Sequence, residues 1–185
     1  MFHEDLVEVK NMEDKKVRGS IINGFIKYIK RTWGEKGMDG IEDELNMDVT
    51  SFNDRKWYDH EIHSKIHRWI VENHGEGHLE RAGSYTVQNM GILSYLIKFT
   101  SPDKMLKKAP KSYRDAFSYG DVEIKVEEKK AYVKMKGVAL DEYTCLAWRG
   151  VFEGVLEATN SKGTIKEWDA EEKGDKDCYF IAEWE

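Results

Sequence analysis

Five of the six histidines in this 185-residue chain fall between residues 60 and 78: His60, His63, His67, His74 and His78. Imidazoles three or four positions apart share one face of a helix. His63 and His67 could therefore chelate a transition metal from one side, with His60 a turn earlier. The local order His60-Glu61-Ile62-His63 is not the H-E-x-x-H of zinc hydrolases, and no spacing fixes a third ligand. The plain expectation is a solvent-facing strip beside an apolar Ile62/Ile66 face. A metal held by His63 and His67, or proton-linked regulation, is the alternative.

The two cysteines, Cys145 and Cys178, supply two thiolates where closed zinc sites take four ligands. Zinc is therefore disfavoured, and both are expected as buried, inert thiols. With no leader-like opening, two cysteines fit a reducing, cytoplasmic compartment. The chain has no G-x-S-x-G, P-loop, Rossmann glycine fingerprint or C-x-x-C, so no catalytic residue is assigned and an enzyme is not expected.

These residues need a scaffold, and the length suits one domain, residues 17–185, behind an arm at 1–16. Apolar residues at 40% and aromatics at 12% can form a core without staples. The net charge of −6, with no basic run interleaved with aromatics, argues against nucleic acid. No apolar run approaches the ~18 residues of a membrane span, and Met90 to Phe99 reads as a core helix.

Ser20 is placed to cap a helix whose stripe is Ile22, Phe25, Ile26 and Ile29, with Gly34 and Gly37 ending it. A short helix over Asp39 to Asn46 and a polar loop over Asp48 to Asn53 follow. Asp59 to His74 carries Ile62, Ile66, Trp69 and Ile70 on one face, and Gly75 and Gly77 break it. Leu79 to Phe99 holds one or two helices. Ser101-Pro102-Asp103 starts another, which Pro110 should kink or divide. At Gly120 the period becomes two: Val122, Ile124 and Val126 alternate with charged residues, and Ala131 to Val138 forms a second strand. A helix over Glu142 to Ala158 and strands over Thr164 to Trp168 and Cys178 to Trp184 complete the chain. The class is α+β, with a helical N-terminal two-thirds packed on a C-terminal four-stranded antiparallel sheet, β-β-α-β-β.

This order, with the ending Gly174-Asp175-x-x-Cys178-x-Phe180-x-x-x-Trp184, resembles the vinyl-4-reductase-type ligand-binding domain, a relative of the heme-nitric-oxide-binding fold and of the core subunits of the TRAPP vesicle-tethering complex. The opening Lys16-Val17-Arg18-Gly19-Ser20-Ile21-Ile22-Asn23-Gly24-Phe25-Ile26 is similar to the start of the heme-binding branch. That branch holds iron with a histidine before the sheet and heme propionates with a Tyr-x-Ser-x-Arg strand. Met105 to Asp121 has no histidine, and the strand reads Tyr132-Val133-Lys134-Met135-Lys136, so the comparison disfavours heme. Where zinc-binding members carry a further cysteine, Ala170 stands here.

What the resemblance implies is a non-enzymatic sensor or carrier that encloses a hydrophobic small molecule between helices and sheet. Ala147, Gly150, Gly154 and Ala158 form a small-residue stripe. It either packs closely on the sheet or leaves room for the ligand. The expected lining is Leu146, Gly150, Phe152, Gly154, Val155 and Tyr132. A signal would pass through a protein partner or a homodimer. The runner-up is a ligand-free dimerisation module of the tethering type. A heme gas sensor, or an enzyme acting on a vinyl or tetrapyrrole substrate through Tyr132, His63 or His67, comes third.

Overall fold

The computed structural model describes residues 15–89 and 100–185. The helix expected over Met90 to Phe99, and most of the N-terminal arm, lie outside the described residues. The architecture is α+β, and the terminal sheet has four antiparallel strands as anticipated.

A short strand β1 (Lys16–Arg18) pairs antiparallel with β2 (Trp57–Asp59), a two-stranded ribbon that the sequence did not announce. Helix α1 spans Gly19–Leu45, merging two expected helices. Gly34, at φ 62 and ψ −145, turns the backbone between them instead of ending the first, and only glycine takes that conformation freely. Helix α2 covers His60–His74, with Asp59 Oδ1 accepting from Glu61 N at 3.0 Å as its cap. Helix α3 covers Glu76–Gln88. Helix α4 runs Pro102–Ala116 without division at Pro110, whose missing N–H leaves the Leu106 carbonyl without its intrahelical donor.

Strands β3 (Asp121–Glu127) and β4 (Lys130–Lys136), helix α5 (Thr144–Ala158), and strands β5 (Gly163–Glu167) and β6 (Cys178–Trp184) build the rest. The sheet order is β3-β4-β6-β5. Ala131, Val133 and Met135 face the core opposite Ala182, Phe180 and Cys178. Phe152 of α5 covers this face, with its ring 5.4 Å from that of Phe180.

The small-residue stripe packs on α3 rather than on the sheet. A Cβ on Gly154 would lie 2.8 Å from the Ser84 Cα, and one on Gly150 would collide with the Glu80 carbonyl. Gly83 makes the reciprocal approach to Ala147 and Val151. The room that missing side chains might have left for a ligand is filled by helix backbone. Arg149 pairs with Glu80, and Ser84 Oγ donates to Glu157 at 2.7 Å, which locks the two helices.

Candidate functional site

Helix α2 buries His60, His63, Ile66, His67, Trp69 and Ile70, so three of the four apolar residues expected on one face are inside, whereas Ile62 is only half-buried. The expected solvent strip is therefore turned inward. Residues 63, 66, 67 and 70 keep helical spacing, but two of the four are histidines, and counting them as polar rotates the apolar stripe away from its true position. His67 is 1% exposed and His63 7%.

The His63 and His67 rings lie 4.1 Å apart, and Phe25 of α1 lies 5.1 Å from each. Phe117, just past α4, is 6.1 Å from His63 and 5.6 Å from Trp148 of α5. Behind the imidazoles sits Asp141, in the turn leading into α5. Its Oδ1 accepts from Tyr143 N at 2.9 Å, and its Oδ2 accepts from Ser64 Oγ at 2.7 Å. The same Oδ2 is 3.4 Å from His67 Nδ1, a close contact without hydrogen-bond alignment. His63 Nε2, both ring nitrogens of His67 and His60 Nδ1 are buried and have no hydrogen-bond partner among the described residues. Unpaired polar atoms so deep are rare in folded proteins.

Burial, reinforced by the neighbouring His67 and His60, pushes the His63 pKa well below its usual value, against the opposing charge of Asp141. Burial alone would raise the Asp141 pKa, but the contacts from His67 and Ser64 hold it well below the ordinary carboxylate range. The hydroxyl of Ser64 donates to the carboxylate and not to an imidazole. The trio therefore lacks the serine–histidine contact that activates a nucleophile.

The remaining pair, His74 and His78, forms a separate cluster. His74 stacks on Trp33 at 3.7 Å, and His78 Nδ1 is 3.0 Å from Tyr28 Oη.

The six residues anticipated as a ligand lining do not converge. Phe152 and Val155 are buried on α5, Leu146 is half-buried, and Gly150 and Gly154 are sealed by α3. Tyr132 lies on the outer sheet face, 5.6 Å from the Trp168 ring. There it lines an open depression of about 570 Å³ with Glu123, Lys125 and Lys134. Cys145 and Cys178 are not free thiols. They form a disulfide joining the first turn of α5 to the start of β6, with Cα atoms 5.3 Å apart. The packing of α5 against β6 brings the starts of both elements together and so creates that pairing, which spacing alone could not show. No described helix is long and apolar enough to cross a membrane.

With this geometry in place, solved structures define the class of fold. The chain superposes with a TM-score of 0.70 on an oxygen-binding H-NOX domain related to soluble guanylate cyclases, at 12% identity, covering 90% of this chain and 94% of that one. An Fe(II) unliganded H-NOX protein from K. algicida matches at 0.66, 15% identity, 91% and 96%. An H-NOX protein from S. oneidensis matches at 0.69, 12% identity, 91% and 96%. The fold is thus that of the H-NOX domains. No curated protein matches the chain in sequence. The chain belongs to the family described as "Protein of unknown function (DUF2378)", which matches residues 85–185.

The expectation that heme is disfavoured is overturned by these neighbours, whose own descriptions include heme distortion in the H-NOX family. That expectation sought an iron ligand only between Met105 and Asp121. The fold brings two other imidazoles, from α2, into the interior. Each offers an imidazole nitrogen of the kind that iron accepts, but two rings 4.1 Å apart on one helix face cannot take the opposite sides of a porphyrin, so the pair does not fit heme as a ligand set. Phe25 and Phe117 now close over them, so a ligand as broad as a porphyrin requires those rings to turn aside.

Proposed function

We propose that this domain is a non-enzymatic small-molecule sensor whose ligand is read in the interior, where α1, α2 and the Asp141 turn meet. The observation that carries this reading is the pair of buried, unpartnered imidazole nitrogens at His63 and His67. Evolution of a core for packing alone favours apolar groups there, because an unpaired buried polar atom costs about 1–3 kcal/mol. The H-NOX fold supports the reading, since the solved neighbours include oxygen-binding and Fe(II) forms. The ending's resemblance to that of vinyl-4-reductase-type ligand-binding domains supports it too.

Heme is the first ligand to test. When bound, it would supply an iron centre for a diatomic gas. At most one of His63 and His67 would offer it a nitrogen ligand, because their rings lie 4.1 Å apart on one helix face, and Phe25 and Phe117 would have to turn aside to form the apolar walls. A signal would leave through a protein partner or a second copy of the chain.

Native mass spectrometry and absorbance spectra of the full chain, purified without denaturant, test this directly. A retained small molecule, or stoichiometric uptake of added hemin, is the expected result. A protein that carries nothing, takes up nothing and is stable as an assembly partner alone would instead favour the dimerisation module.

A further inference from the structure

The terminal sheet has two edge strands, β3 and β5, and they are guarded unequally. Strand β5 is five residues long, begins with Gly163, and places Glu167 at a core-side register position opposite Phe180. Shortness and an inward-placed charge are devices that keep an edge from pairing with another chain. Strand β3 has neither. Its seven residues pair with β4 in one unbroken register, from Asp121 opposite Lys136 to Glu127 opposite Lys130, without proline or bulge. Its core side carries Val122, Ile124 and Val126, of which Ile124 and Val126 are only half-buried. Among the described residues, no group outside the sheet hydrogen-bonds to the β3 backbone.

We propose that β3 is the docking edge for a second copy of this chain, the two β3 strands pairing antiparallel about Ile124 into one continuous sheet. The strand reads Asp-Val-Glu-Ile-Lys-Val-Glu, and reversal about its centre sets Glu123 of each copy against Lys125 of the other. Val122 then meets Val126 and Ile124 meets its own counterpart, so every apolar core-side position finds an apolar partner. Asp121 and Glu127 meet at the two ends, where each already faces a lysine of its own β4, Lys136 or Lys130. A slip of two residues would bring Lys125 against Lys125 or Glu123 against Glu123, so charge selects the centred register. Because each copy has one such edge, pairing closes at two and leaves only the guarded β5 edges. The inference goes beyond the interior-sensor reading and does not depend on it.

The test is sedimentation velocity of the full chain from about 1 to about 200 μM, the range open to a small interface. The mass should rise from monomer to dimer and go no further. Lys125→Glu alone, or Glu123→Lys alone, sets like charges against each other twice and should weaken association about 10-fold. The two reversals together restore opposite charges and should return the affinity to within about 3-fold of the wild type. Both side chains are exposed, so these variants should fold. Lys166→Glu, on the exposed β5, should leave association unchanged. Amide exchange over residues 121–127 should slow as the concentration rises, while that over 163–167 stays constant. A chain that remains monomeric, a dimer indifferent to the single reversals, or one that the double reversal fails to restore overturns the proposal. A monomer that retains a small molecule removes this inference and keeps the interior-sensor reading. An empty chain that dimerises with charge rescue does the reverse.

Discussion

Asp141 Oδ2 lies 3.4 Å from His67 Nδ1, joining the turn before α5 to the buried face of α2. Removal of the carboxylate strips an acceptor from Ser64 and from the Tyr143 N–H together, and takes a close neighbour from His67. Asp141→Ala should therefore cost about 2–4 kcal/mol, read as a lowered urea midpoint. Asp141→Asn should cost less, because an amide oxygen can still accept. The native Asp141 pKa is held below its unfolded value, so its stabilising contribution is complete above the ordinary carboxylate range and is lost as pH falls through and below it. Urea midpoints taken from pH 7 to pH 3 should drop more steeply in the wild type than in Asp141→Asn. Parallel acid limbs would refute this role.

The α3–α5 interface gives a sharper contrast between two glycines. Gly150 faces the Glu80 backbone, which has no flexible end to yield, so Gly150→Ala must push the helices apart. Such overpacking costs about 1–3 kcal/mol. A Cβ on Gly77 of the same α3 would meet only the Arg81 guanidinium, at 3.6 Å. Gly77→Ala should stabilise by about 0.5–1 kcal/mol, since alanine suits a helix better than glycine. Thermal melts of the two variants should move in opposite directions.

The same interface shows how far the sequence carried. Period-two alternation in Val122/Ile124/Val126 and the Gly174-Asp175 turn before Cys178 were enough to read the sheet, because strands signal locally. The stripe Ala147/Gly150/Gly154 was equally visible, but its partner was not. Close approach requires a small residue and does not say whether a helix or a sheet comes near. The site was lost for a related reason. His63 and His67 stood out, yet polarity scales send histidine to the surface. Their burial depends on Asp141 and Phe117, far along the chain. A rule treating histidine as neutral at core spacing would have found 63, 66, 67 and 70 as one face.

The Cys145–Cys178 disulfide closes a loop with a sequence separation of 33. Restricting the unfolded chain over such a loop is worth about 3–4 kcal/mol. It also secures the N-terminus of α5, next to Asp141, to β6. The neighbouring backbone bond from Ala139 N to Lys176 O, at 2.9 Å, spans the same junction. Unfolding in urea with and without a thiol reductant should show a large drop in midpoint. Cys178→Ser should reproduce the reduced state without added reductant. Equal midpoints would mean that the bond does not form in the folded protein.

His74 and His78 supply the pH test at the other end of α2. Burial lowers both pKa values, and at His78 the charge of Arg81 and then that of His74 add to the effect. For a histidine held below its unfolded value, the neutral form is the native one. The stability is full above about pH 6.5 and declines as pH falls from there towards the native pKa. Neutral His78 Nδ1 can accept the Tyr28 hydroxyl proton at 3.0 Å. Once protonated, it must donate in the reverse sense while sharing its surroundings with a second cation. Ring-proton NMR should give midpoints for both residues below those of a model peptide. Tyr28→Phe should move the His78 midpoint and leave that of His74 nearly fixed, because His74 rests on the Trp33 face instead. Two histidines titrating at or above the peptide value would show that water reaches this cluster freely.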